Sequence, residues 1–257
     1  YNDINKKYMK FVIGNWKMSL NYEQSINLAQ KLASLVKPSL DLVTVVCPST
    51  ISLTGVAQEI KKSPITLGAQ DCFWEDKGSY TGMTSPQILA DLGCQYVIIG
   101  HSERRMYLAE SDEMINKKIK KAFQIGLIPV VCVGETFEQR RNGSKDAIIS
   151  QQVIKAFSGF TSNNQLPIII AYEPVWVIGS GQAVASEEAS HACTIIKQAI
   201  REVVPEKVAE EHVYTLYGGS VTKDNIKDLM SQKQIDGVLV GGASLDPEHF
   251  NSLIEAV

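Results

Sequence analysis

Short apolar runs recur along the chain, with helix-like segments between them. The runs are Phe11-Val12-Ile13, Leu42 to Val46, Ile65-Thr66-Leu67, Tyr96 to Ile99, Pro129 to Cys132, Ile168-Ile169-Ile170, Val213 to Leu216 and Gly237 to Val240. They are rich in β-branched residues, and an unbroken apolar run such as Ile168-Ile169-Ile170 reads as a strand buried on both faces, as in a parallel sheet. Between them the apolar spacing changes. Ile195, Ile196, Ala199, Ile200 and Val203 form the stripe of an amphipathic helix, and Ser186 followed by Glu187 and Glu188 predicts its N-cap and acidic first turn. Strand and helix alternate eight times, which predicts an α/β fold with a parallel sheet and crossover helices. Eight such units in 257 residues match a single closed (β/α)₈ barrel over residues 9–257. A doubly wound open sheet is the alternative, but its first βα turn should carry GxGxxG, and here that turn reads Gly14-Asn15-Trp16-Lys17.

Composition narrows the partners. A net charge of −3 gives no electrostatic reason to expect nucleic acid or an anionic membrane. No apolar run approaches the ~20 residues of a membrane span. Residues 1–8 are polar and lack the apolar centre of a secretory signal, so they read as an extension or an appended remnant, with Met9 as a start. Five cysteines, odd in number and with no CxxC pair, suggest neither a disulfide framework nor a zinc site. A reducing cytoplasm is the expected compartment.

In such barrels the chemistry lies at the C-terminal ends of the strands. After the first run come Asn15 and Lys17, and after the fourth come Gly100-His101-Ser102-Glu103-Arg104-Arg105. After the sixth comes Glu173, where Pro174 ends strand pairing because it has no N–H to donate. The chain continues through Val175-Trp176-Val177-Ile178 to Gly179-Ser180-Gly181, an apolar flap with a glycine-rich end, able to close over a site and exclude water. Gly218-Gly219-Ser220 and Gly241-Gly242-Ala243-Ser244 follow the last two runs. These are glycine-rich turns into helices, where backbone N–H groups favour a phosphate. A carboxylate base, an imidazole, a cation and an anion cradle suit proton abstraction beside the carbonyl of a phosphorylated small molecule.

Asn15-Trp16-Lys17-Met18, Gly100 to Arg105, Tyr172 to Gly179 and Tyr217-Gly218-Gly219-Ser220, in that order, resemble the signatures of the triosephosphate isomerases. The resemblance runs from about Met9 to the C-terminus and implies a TIM barrel. It also implies an aldose–ketose isomerase of glycolysis and gluconeogenesis, which interconverts dihydroxyacetone phosphate and D-glyceraldehyde 3-phosphate as a homodimer without cofactor or metal. Glu173 is then the base that moves a proton through an enediolate, and His101 the neutral electrophile, as in the pairing known for this family. Lys17 neutralises charge, Asn15 donates beside it, and Glu103 positions Lys17. Backbone N–H groups at Gly179, Ser220, Gly241 and Gly242 hold the phosphate. Pro174 to Gly181 form the lid, which Tyr217 and Ser220 hold when it is closed. Thr81, in the loop from Gln70 to Thr84, reaches the partner's site. Ser102 is expected to cap the short helix after His101, whose positive end would keep the imidazole uncharged.

The chain departs from the family pattern in several places. Val177, Ser180 and Gln182 stand where the flap usually carries Ala, Thr and Lys. Met83 stands where Glu is usual, which removes an intersubunit partner for Arg104, and Asp71 replaces a common Asn. Asp71 has no cation nearby in sequence, so it is expected to be partly desolvated and uncompensated, and Asp71→Asn to stabilise the dimer. Glu173 is expected to be the strand-end base, no other carboxylate matching that position. His191, His212 and His249 read as surface residues, Cys132 as a small buried hydrophobe near the site, and Trp16, Trp74 and Trp176 as packing or flap anchors. Two other classes remain open at this level. A pentose phosphate epimerase would share the phosphate turns but normally adds His and Asp metal ligands. A silent scaffold paralogue would tolerate loss of Lys17, His101 or Glu173, and all three are present.

Overall fold

The computed structural model describes residues 9–161, 166–178 and 182–257. Eight strands close into one barrel: β1 (Lys10–Asn15), β2 (Leu42–Cys47), β3 (Thr66–Ala69), β4 (Tyr96–Ile99), β5 (Ile128–Val133), β6 (Ile168–Tyr172), β7 (Val213–Tyr217) and β8 (Gly237–Val240). Neighbours pair in parallel in chain order, and β1 closes the ring by pairing Phe11 with Val43 on β2 and with Gly237 on β8. Every expected run is a strand, with boundaries moved by up to two residues. Asn15 is the last residue of β1 rather than the first after it, so its side-chain direction is fixed by the sheet.

Alternate residues of each strand face opposite ways, which divides the core in two. Phe11, Ile13, Val45, Ile98, Val130, Cys132, Ile169, Ala171 and Leu216 fill the inside of the barrel. Val12, Val46, Val97, Ile99, Val131 and Ile170 point outward and pack with the helices. Among the described residues these are α1 (Tyr22–Leu35), α2 (Leu53–Ile60), α3 (Pro86–Asp91), α4 (Ser102–Leu108), α5 (Asp112–Ile125), α6 (Phe137–Arg141), α7 (Lys145–Ala156), α8 (Ser186–Arg201), α9 (Glu206–Glu211), α10 (Ile226–Ser231) and α11 (Pro247–Ile254). Both core layers are apolar, which is why the strands read as near-continuous hydrophobic runs.

Local signals set the helix ends. Asn21 and Gln24 form a reciprocal capping box at the start of α1. Ser111 caps α5, and Gly126, in the left-handed region, ends it. The expected cap of α8 is off by one residue. Ala185 occupies the cap position, and Ser186, already helical, turns its hydroxyl to Asp228.

Candidate active site

Glu173 follows β6 directly and is 2% exposed. Its N–H donates to the Val133 carbonyl at 2.7 Å, which ties it to the end of β5. Gly134 makes that close approach possible, since a Cβ there would lie 1.7 Å from the Glu173 carbonyl oxygen. The carboxylate thus stands on a rigid strand end, in a pocket of about 570 Å³ that Asn15, Lys17, His101, Ile178, Ser220, Gly241 and Gly242 also line.

Both carboxylate oxygens of Glu173 have partners. Oε1 lies 2.9 Å from His101 Nε2, and Oε2 accepts from the Ser102 N–H at 2.8 Å. Burial, the largest single influence, pushes the carboxyl up, but His101 and Ser102 together bring it below the ordinary Glu range. On His101 the Nδ1 atom accepts from the Glu103 N–H at 3.3 Å. A protonated nitrogen cannot accept, so this geometry selects a neutral imidazole carrying its proton on Nε2, aimed at Glu173. Burial pushes the imidazole pKa down, and Lys17 adds to that. The charge and hydrogen bond of Glu173, with Glu103, outweigh them, and the net shift is upward. Glu103 is the second residue of α4, so the N–H that favours the neutral imidazole belongs to the helix end, as expected, while the Glu173 carboxylate opposes it. The capping role moves from Ser102 to His101, which precedes α4 and caps it with its own ring. Ser102 is the first helical residue, and its backbone N–H serves Glu173 instead.

Lys17 Nζ donates to Glu103 Oε1 at 2.6 Å, the expected pairing. Lys17 has a left-handed backbone, φ 49°, which costs a non-glycine residue roughly 1–2 kcal/mol. Two contacts hold it there: its N–H donates to Asn15 Oδ1 at 3.0 Å, and its carbonyl accepts from Gln70 Nε2 at 2.8 Å. Gln70 also donates to the Cys47 carbonyl, so one amide fastens β2 to the lysine turn. Sequence reasoning missed Gln70 as a site residue, because only the barrel brings the end of β3 beside that of β1 and β2.

At the other end of the pocket lie Gly218, Gly219, Ser220, Gly241 and Gly242. Gly242–Leu245 is a short 3₁₀ turn whose free N–H end faces this space. The described part of the flap runs to Ile178. Pro174 precedes a 3₁₀ turn at Val175–Val177, and Val177 is fully buried. Gly179, Ser180 and Gly181 lie outside the described residues. Tyr217 Oη accepts from the Val184 N–H at 3.3 Å, beyond the flap. Thr81 is exposed and does not line the pocket of its own subunit.

Several side chains behave differently from the expectation. Glu135 is a second carboxylate near a strand end, two residues after β5 and fully buried. Its Oε1 accepts from Tyr172 Oη at 3.1 Å and from Trp176 Nε1 at 2.8 Å, so it anchors the base of the flap rather than facing the pocket. His249 lines the far end of the pocket, its Nε2 buried and without a partner among the described residues, whereas a surface position was expected. Arg105 donates to the Gly100 and Cys132 carbonyls and to Asp112, bracing the ends of β4 and β5. The Cys132 thiol is buried beside Glu173 and pushed well above the usual thiol range by that burial, as expected of an inert hydrophobe. Asp71 is not uncompensated: Lys118 Nζ and Arg104 Nη2 both reach it at 2.7 Å. Burial does push its carboxyl up, against both cations. The expected gain from Asp71→Asn rested on a missing partner and falls with it.

Comparison with known proteins agrees with this geometry. The sequence model of the triosephosphate isomerase family matches residues 10–257. The triosephosphate isomerases of Dictyoglomus turgidum and Dictyoglomus thermophilum are each 43% identical to the chain over 247 residues, covering 96% of it and 99% of each relative. That of Lactobacillus acidophilus is 40% identical over 243 residues, covering 95% of the chain and 96% of the relative. With a closed eight-stranded barrel and the family's motifs gathered at one end of it, the chain belongs to the triosephosphate isomerase family.

Proposed function

We propose that in the interconversion of dihydroxyacetone phosphate and D-glyceraldehyde 3-phosphate, the reaction of this family, Glu173 is the base and His101 the electrophile. The observation that carries the assignment is the direct 2.9 Å contact of Glu173 Oε1 with His101 Nε2 inside the pocket that also holds Lys17. When the substrate carbonyl takes the Nε2 proton donor for itself, Glu173 is released from His101 and can turn to carbon. It removes a proton from C1 of the ketose, and the electron pair moves to give an enediolate. His101 Nε2–H and the Lys17 ammonium stabilise the oxyanion at O2; His101 gives its Nε2 proton to O2 and takes up the O1 proton in its place, and Glu173 returns the carbon proton to C2 to give the aldose. Glu103 positions Lys17, and Asn15 holds the lysine turn. The phosphate is assigned to backbone N–H groups at Gly179, Ser220, Gly241 and Gly242, the lid to Pro174 through Gly181, and its closed-state contacts to Tyr217 and Ser220.

The working unit of this reading is a homodimer in a reducing cytoplasm. Met18, Tyr80, Met83, Met106, Tyr107 and Leu108 are large apolar side chains left 44–95% exposed on the loops after β1 and β3 and on α4. A second copy of the chain, bringing Thr81 toward the neighbouring site, fits such a face. Among the described residues no helix is long and apolar enough to cross a membrane, and the five cysteines are free buried thiols.

The test is a coupled assay of glyceraldehyde 3-phosphate formed from dihydroxyacetone phosphate. Glu173→Gln should lower kcat by roughly 10³-fold or more, because general-base and positioning contributions are lost together. Near-wild-type turnover in pure Glu173→Gln protein would refute the assignment.

A further inference from the structure

Behind the catalytic groups, four charged side chains close a ring. Asp71 Oδ2 meets Arg104 Nη2 and its Oδ1 meets Lys118 Nζ, each at 2.7 Å. Glu110 Oε2 lies 3.2 Å from Arg104 Nε, and Glu110 Oε1 contacts Lys118 Nζ. Each carboxylate bridges both cations, so two positive and two negative charges balance. The Glu110 and Lys118 side chains are 1% and 3% exposed. Such charges are tolerated in the interior only when paired.

The ring joins four separate parts of the fold. Asp71 comes from the segment after β3, Arg104 from the first turn of α4, Glu110 from the turn after α4, and Lys118 from α5. Ala109, in the left-handed region at φ 51°, turns the chain so that Glu110 points back at Arg104. Arg104 lies three residues beyond His101 and donates its N–H to the His101 carbonyl at 2.8 Å. Whatever holds Arg104 therefore holds the turn that presents both His101 and the Ser102 N–H to Glu173.

We propose that Asp71 is a positioning residue for the isomerisation: through Arg104 it fixes the first turn of α4 and so the contacts of His101 and Ser102 with Glu173. This rests on Glu173 and His101 being the reacting pair. Asp71 does not line the pocket. Without its carboxylate, the buried Lys118 and the part-exposed Arg104 share Glu110 alone, and the balance is relieved by movement of α4. The phosphate end of the pocket, built by the turns after β7 and β8, takes no part in the ring.

The experiment compares wild type and Asp71→Asn in kcat, KM and the acid limb of kcat/KM. The groups facing Glu173 are His101 and the Ser102 N–H at the start of α4 and the Cys132 thiol on β5, with Lys17 and Glu103 acting on His101. Loosening α4 weakens the two that keep Glu173 ionised. The expected result is a fall in kcat of about tenfold, since sub-ångström misplacement of reacting groups is costly. KM should stay within about twofold, and the acid limb should move to higher pH. A folded Asp71→Asn enzyme with wild-type kcat and acid limb overturns the proposal, as does one that loses only thermal stability. Should Asp71→Asn fail to fold, Arg104→Lys takes its place: its ammonium keeps the charge but cannot fork to both carboxylates. The same fall and shift are expected of it, and wild-type values overturn the proposal. An error in the catalytic pair would show separately, as turnover retained by Glu173→Gln.

Discussion

The net ionisation of Glu173 depends on two contacts working against burial. A fully buried carboxylate left to itself would have a raised pKa and be a protonated, useless base at acidic pH. Here His101 and the Ser102 N–H bring it below the ordinary range, so the active, ionised form persists to lower pH. The free enzyme's titration appears in kcat/KM. His101→Asn removes the largest of the opposing influences and leaves burial in place. The residual activity of that variant should therefore show an acid limb displaced to higher pH than wild type, as well as a reduced kcat. An unmoved or lower limb would mean that His101 does not hold the Glu173 carboxylate in solution. The sign for stability is the same: a depressed carboxylate contributes above its unfolded pKa of ~4.3, and the contribution is lost as pH falls through the lower folded value.

At the level of elements, the flap and α4 are anchored in different ways. The flap leaves β6 through Pro174, and its first turn is held by Trp176 on Glu135 and by the Arg140 guanidinium 4.5 Å from the Trp176 ring. Its base is therefore fixed. An enediolate phosphate left open to water can expel its phosphate, so a flap acting as the proposed lid would protect the intermediate as well as orient it. Deleting Val177 through Ser180 should slow isomerisation and release inorganic phosphate with methylglyoxal. A shortened enzyme that forms only isomerised product at the wild-type rate would show that the segment is not a lid. For α4, the charge ring gives two departures from the family pattern a common sense: the chain carries a carboxylate for Arg104 at Asp71, inside the subunit, and none at Met83.

For the whole molecule, the site is built at one end of a closed barrel, and its rim carries an apolar face. Met106, Tyr107 and Leu108 are 60%, 76% and 60% exposed on the same helix whose first turn presents His101. If a second copy covers this face, dissociation strips support from α4 directly. Sedimentation should then show a dimer, and Tyr107→Asp should shift it toward monomer with specific activity that falls on dilution. A monomeric Tyr107→Asp protein with full, dilution-independent activity would sever the link between dimer and site.

How much of this was written in the chain differs between fold and site. The strands were legible because strands buried on both faces must be continuously apolar, as at Ile168-Ile169-Ile170. The pocket residues proposed to meet substrate were legible because a barrel places the ends of all its strands together, so Lys17, His101 and Glu173, which line one pocket, could be gathered from the sequence. Their supports were not. Gln70 under Lys17, Glu135 under the flap, Arg105 between β4 and β5, and the cations around Asp71 come from segments 41 to 53 residues from those they hold, Arg105 and Arg104 lying nearer. Local pattern records which face a residue turns, through a period of 2 or 3.6, but not which distant side chain will meet it there. The single-residue errors at Ser102 and Ser186 have the same origin, since a cap belongs to whichever residue leaves the extended region last. The sequence by itself determined the barrel, its order and the chemistry at its mouth. Only the tertiary structure decided which charges are paired, because pairing depends on distances across the barrel that no local pattern encodes.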